Sequence, residues 1–149
     1  MRINNQMNLK FLSLSINESF ARNVVGCFAL QLNPSVAEVS DIKTAVSEAV
    51  TNCIVHGYDG KIGEVGIDAE IQGQTLHIKI FDNGVGIENV SEALEPFYTT
   101  KPDEERSGMG FTIMKSFMDD VKVESSKGIG TTIYMTKKIC PMSKNELKW

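Results

Sequence analysis

The spacing of apolar residues changes several times along the chain, and each change marks an element. Met7, Leu9 and Phe11 alternate with Asn8 and Lys10, the period of a half-buried strand. Phe20, Val24, Cys27 and Phe28 then share one helical face. They predict a first helix over about 18–31 with Asn17 as its N-cap, its outward face carrying Ser19, Arg22 and Asn23. Asn33-Pro34 breaks the pattern, and proline is tolerated in a first helical turn, so it can open the next helix. That helix, or two short ones, runs to Gly57 with an apolar face of Ile42, Ala45, Val46, Ala49, Val50, Cys53 and Ile54. Tyr58-Asp59-Gly60 is turn chemistry.

Two alternating runs follow, Val65, Ile67, Ala69, Ile71 and then Leu76, Ile78, Ile80, separated by Gly73-Gln74; they predict an antiparallel hairpin that delivers Asp82 at its end. A short helix fits 89–94. From 95 to 109 no period persists, and Pro96, Pro102 and Gly108 interrupt the chain, which reads as a polar lid loop. Phe111, Ile113, Met114, Phe117 and Met118 restore a helical stripe from Gly110. Two last strands, near 121–125 and 131–136, flank Lys127-Gly128-Ile129-Gly130, and a polar tail from about 138, ending in Trp149, is expected to be disordered. Strands in antiparallel pairs with separate helices make an α+β class.

Composition narrows the function. With 149 residues, 42% of them hydrophobic and 23% charged, one domain spanning 1–149 with a sizeable core is expected. The net charge of −4 supplies no basic field for nucleic acid or an anionic membrane. No apolar run approaches a membrane span and the N-terminus has no signal-like segment, so a cytoplasmic location is expected. Three cysteines without a Cys-x-x-Cys spacing, and only His56 and His77 beside them, predict reduced thiols and no zinc, with Cys27 and Cys53 as small buried hydrophobes.

The candidate chemistry begins on the second helix. Glu48, Asn52 and His56 recur every fourth residue and form a stripe beside the apolar face. By itself the stripe reads as a partly solvated helix edge. Downstream, Asp82-Asn83-Gly84-Val85-Gly86 ends a strand, where glycines admit close approach of a ligand and an ionised Asp82 suits an exocyclic amine. Gly108-Met109-Gly110 opens a helix, whose free amides suit phosphates. Lys101 and Arg106 either fold over a polyphosphate or are solvated loop charges.

The helix with Glu48 and Asn52, followed by these two glycine segments, resembles the ATP-binding fold of the GHKL superfamily. Glu-Ala-Val-Thr-Asn-x-Ile-x-His-Gly-Tyr at 48–58, Phe-x-Thr-Thr-Lys-Pro at 97–102, Glu-Arg-Ser-Gly-Met-Gly-Phe-Thr-Ile-Met at 105–114, Phe-Met-Asp-Asp-Val at 117–121, Gly-Thr-Thr-Ile at 130–133 and Asn-Glu-Ser-Phe-Ala-Arg at 17–22 are similar to the anti-sigma F factors of endospore-forming bacteria. The resemblance implies a two-layer α/β sandwich, a mixed and mainly antiparallel sheet with helices on one face. It implies a serine protein kinase that binds a sporulation sigma factor and phosphorylates an anti-anti-sigma protein, and a homodimer built through the first strand and its neighbouring helix.

Carried over by motif, Asn52 coordinates Mg²⁺, Glu48 receives the substrate serine proton, Asp82 accepts from the adenine amine and Thr131 supports the base. Gly84 and Gly86 shape the adenine pocket. Gly108 and Gly110 present amides to the phosphates of ATP, Thr99 and Lys101 join them from the loop, and Arg106 contacts the γ-phosphate. Arg22 meets an acidic partner. His56 either touches the nucleotide site or makes a structural hydrogen bond at the helix end. Tyr98 and Cys53 depart from the family pattern without touching the implied chemistry. A related stress-response anti-sigma kinase and a non-catalytic ATP-dependent regulatory module are the alternatives.

Overall fold

The computed structural model describes residues 4–87, 89–94 and 110–141. Strands β1 (Asn4–Leu12), β2 (Glu64–Gln72), β3 (Thr75–Asp82), β4 (Asp120–Ser126) and β5 (Gly130–Lys138) form one sheet in the order β1-β2-β3-β5-β4. All four pairings are antiparallel. The helices are α1 (Ile16–Ala29), α2 (Val36–Asn52), the short α3 (Val90–Ala93) and α4 (Gly110–Phe117).

The predicted alternation becomes rows across the sheet. Ile67 lies opposite Ile80, which lies opposite Ile133, and Ala69, Ile78 and Met135 make the next row. These side chains are buried together with Ile42, Ala45, Val46, Ala49 and Val50 of α2 in one core. Burying a side chain of this size contributes on the order of 1.5–3 kcal/mol, so the rows and α2 fix the two layers. The intervening residues, among them Asp68, Glu70, His77, Lys79 and Tyr134, face away from the core. They line a depression of about 340 Å³ that contains none of the predicted site residues. There Asn8 Nδ2 donates to Asp68 Oδ1 at 2.6 Å, an ordinary polar pairing between neighbouring strands.

The turns follow their residues. Gly73 has φ +62°, the glycine-first two-residue turn that joins β2 to β3, and Asp59 and Gly60 are both at positive φ in the turn after α2. Several boundaries differ from expectation. The N-cap of α1 is Ser15, without a side-chain bond, because Asn17 turns back to donate to the Leu12 carbonyl at 2.9 Å. Pro34 lies ahead of the N-cap of α2, which is Ser35; Ser35 and Glu38 form a capping box, with bonds of 3.1 and 2.9 Å.

The buried face of α1 is rotated from the predicted one. Ala21, Val25, Gly26, Phe28 and Ala29 are buried, while Phe20 and Cys27 are exposed. Small residues let α1 approach α2 closely, and a stripe chosen by side-chain size overlooks them. The end of the chain is also better packed than a disordered tail from about 138 requires. Ile139 is buried and its N–H donates to the Gln74 carbonyl at 2.8 Å, while 142–149 lie outside the described residues. Lys137 Nζ donates to the Phe117 carbonyl at 2.6 Å, a cation at the C-terminus of α4 that fastens this helix to β5. No helix of the described residues is long and apolar enough to cross a membrane.

Candidate functional site

The inward face of β3 reads Leu76, Ile78, Ile80, Asp82, so its last position puts a carboxylate where the pattern has placed isoleucines. Asp82 pairs with Val65 on one side and Thr131 on the other, at the rim of the core. It is 4% exposed, and Thr131 3%. Oδ1 accepts from the Gly84 N–H at 2.8 Å, whereas Oδ2 is buried and has no hydrogen-bond partner among the described residues. Burial pushes the carboxyl up, opposed by the Gly84 N–H, the Cys53 thiol and the Thr131 N–H. A desolvated acceptor with no donor carries a penalty of about 1–3 kcal/mol, more when charged, which a ligand N–H removes.

The space beside that oxygen is kept open by small residues. A Cβ on Gly57 would come within 2.7 Å of Oδ2, and one on Gly84 would strike the Gly57 carbonyl. Backbone bonds close the wall: Val85 N–H to Gly57 O at 2.7 Å and Gly128 N–H to Val85 O at 2.6 Å, with Gly86 at φ +76° between the two segments. The Tyr58 hydroxyl accepts from the Asn83 N–H at 2.9 Å and donates to the Glu64 carbonyl. Ser125 Oγ donates to Gly130 O at 2.9 Å and accepts from the Ile87 N–H at 2.7 Å. Its single hydrogen is thereby used, so at the 2.8 Å contact between Ser125 Oγ and Thr131 Oγ1 the threonine donates. Tyr58 and Ser125 were absent from the predicted site; the signal for Tyr58 was its turn position beside Gly57, and Ser125 had none.

The Glu48 stripe is only partly regular. Residues through Asn52 are α-helical, but Cys53–Gly57 form a π-helical turn, closed by Tyr58 N–H to Cys53 O at 3.2 Å. Glu48 and Asn52 stay one α-turn apart and half-buried, while His56 leaves their helical phase because a π-turn is wider. The turn carries Gly57 to Asp82, which brings the end of the stripe to the carboxylate. Cys53 is not a bystander: it is buried against Asp82, and burial followed by the neighbouring carboxylate pushes its thiol well up. Arg22 is not a freely exposed cation; its Nη1 lies 2.8 Å from Glu18 Oε1 and 3.0 Å from Oε2. Gly110 opens α4 as expected, and Thr99, Lys101, Arg106 and Gly108 of the predicted lid lie outside the described residues.

Residues 15–137 match the family model of the histidine kinase-like ATPase domain. An anti-sigma F factor of Clostridium acetobutylicum is 58% identical over 136 residues, covering 91% of this chain and 95% of that protein. The chain belongs to the anti-sigma F factor family. An anti-sigma F factor of a Thermoanaerobacter species is 56% identical over 139 residues, 93% of this chain and 97% of its own length. Among solved structures, the RsbU and RsbW domains of a Mycobacterium tuberculosis protein match with a TM-score of 0.65 at 15% identity, over 91% of this chain and 32% of that one. The histidine kinase domain of a blue-light activated histidine kinase from Erythrobacter litoralis matches with a TM-score of 0.54 at 15% identity, over 82% of this chain and 60% of that one. The two structures share the fold. In this anti-sigma F family member, Asp82, Gly57, Gly84, Gly86 and Thr131 converge, and Glu48 and Asn52 lie on the helix that ends at them.

Proposed function

We propose that the chain is an anti-sigma factor that binds and inhibits a sporulation sigma factor, and that it uses Mg-ATP to phosphorylate a serine of an anti-anti-sigma protein. The observation that carries the reading is Asp82 Oδ2, a buried acceptor without a donor among the described residues, beside a space kept open by glycine. An ionised carboxylate only accepts, so the complementary group is an N–H donor such as the exocyclic amine of adenine. The residues therefore fit ATP.

Bound Mg-ATP supplies the transferable phosphoryl group and neutralises phosphate charge. Asp82 fixes the adenine end, with Thr131 and the glycine wall shaping its surroundings. Asn52, whose amide oxygen is a hard ligand, holds Mg²⁺. Gly110 at the start of α4, with Gly108, Thr99, Lys101 and Arg106 of the preceding segment, meets the phosphates. Glu48 accepts the proton of the substrate serine as its oxygen bonds to the γ-phosphorus and the bond to the β-phosphate oxygen breaks, releasing ADP. Arg22 meets an acidic group of a partner. The exposed apolar residues beside β1, an edge strand, support a homodimer.

The test is a pull-down from sporulating cells with the tagged chain, once in Mg-ATP and once in Mg-ADP, followed by transfer from γ-labelled ATP to any small partner recovered. The reading expects a sigma factor in ATP, an anti-anti-sigma protein in ADP, and label on a serine of the latter. Recovery of neither partner in either nucleotide would sink it.

A further inference from the structure

One carboxylate joins the two long helices. Glu18, in the first turn of α1, has a side chain 20% exposed against 39% for Arg22. Its oxygens take Arg22 Nη1 at 2.8 and 3.0 Å, and Oε1 also accepts from the Ser47 hydroxyl of α2. Ser47 immediately precedes Glu48. One turn earlier, the stem of Lys43 lies against Gly26, so this stripe of α2 rests on α1. A guanidinium has five N–H donors, more than two carboxylate oxygens take up, so Arg22 can be held by Glu18 and still meet a second acid.

We propose that Glu18 is a positioning residue that couples the partner surface at Arg22 to the nucleotide helix α2 through Ser47; this rests on the reading of Arg22 as a partner contact. When an acidic partner group shares Arg22, the guanidinium's hold on Glu18 weakens. Glu18 then bonds more strongly to Ser47, and the grip of α1 on α2 changes one residue before Glu48. Linkage requires the effect to run both ways: a nucleotide that alters this stretch of α2 alters partner affinity by the same factor.

The experiment measures the affinity of the full chain for a fluorescent ADP analogue, alone and with saturating anti-anti-sigma protein of the source organism. In the unmodified chain the two affinities should differ by about fivefold or more, the lower end of ordinary allosteric coupling. Ser47→Ala should reduce that ratio below about twofold while leaving the affinity for the analogue alone within about twofold, and Ser47→Thr, which keeps the hydroxyl, should restore it. Glu18→Gln keeps an acceptor for Ser47 but not the ion pair, and should lose the coupling with the helices still paired. A ratio near one in the unmodified chain with partner bound, or an undiminished ratio in Ser47→Ala and Glu18→Gln, overturns the proposal. Absence of partner binding by the unmodified chain is a different result, and it overturns the anti-sigma reading itself.

Discussion

Asp82 occupies the inward position that Ile78 and Ile80 hold earlier in β3, so its charge is desolvated in the ligand-free chain. Burial raises its pKa in the fold, so its contribution to stability is fully present below the unfolded pKa and is lost as pH rises through the folded one. In the proposed role Asp82 accepts from the adenine amine of ATP, which calls for the ionised form. ATP affinity should therefore fall as pH drops from neutrality through the raised carboxyl range, which calorimetric titration across pH reads directly. Asp82→Asn places an amide donor against the adenine amine; it should weaken ATP binding by about 10- to 100-fold, the worth of a hydrogen bond to a charged group, and abolish that pH dependence. Because the orphaned charge is gone, the ligand-free variant should melt no lower than the parent at neutral pH. Glu48→Gln separates binding from transfer. ATP affinity should persist while phosphoryl transfer falls by about 10²-fold or more, and normal transfer would remove Glu48 from the mechanism. The alternation of β3 made the placement of Asp82 legible. The contact with Cys53 was not legible, since it depends on how the end of α2 meets the end of β3.

At the scale of elements, the strands and helices were largely legible because their periods of two and near four are unbroken over whole segments. What escaped was local competition. Asn17 is a cap by residue type, but its amide finds the Leu12 carbonyl instead. The true cap of α2 carried a readable signature, Ser35-x-x-Glu38, which the neighbouring proline obscured. Ser35→Ala should cost about 0.5–2 kcal/mol in urea denaturation, with the larger loss expected because α2 is the helix on which both α1 and α4 pack. The π-turn at Cys53–Gly57 had no period to announce it. It is a tertiary outcome, set by the backbone bond from Val85 to Gly57 and by the close approach of Gly57 to Asp82.

For the molecule as a whole, one end of the sheet is unfinished. β1 is an edge strand, and Leu12, Leu14, Ile16 and Phe20 beside it are exposed, Ile16 by 79%. Such a strip is the surface that the proposed homodimer would cover. Sedimentation velocity should find a dimer that Ile16→Asp with Phe20→Glu converts to monomer without loss of ATP binding, because both are exposed residues of α1 and neither is among the described contacts of Asp82. The wall of the Asp82 pocket has a different consequence. Its closures, Gly57 to Val85 and Val85 to Gly128, are made by peptide groups, while the side chains of Val85 and Ile129 on the same wall point outward. The shape of this wall is thus insulated from changes in the side chains of residues 85 and 129. A library randomising residues 85 and 129 should retain nucleotide binding in most members, whereas one randomising 57, 82 and 84 should retain it in almost none, leaving evolution a variable outer surface around a fixed slot.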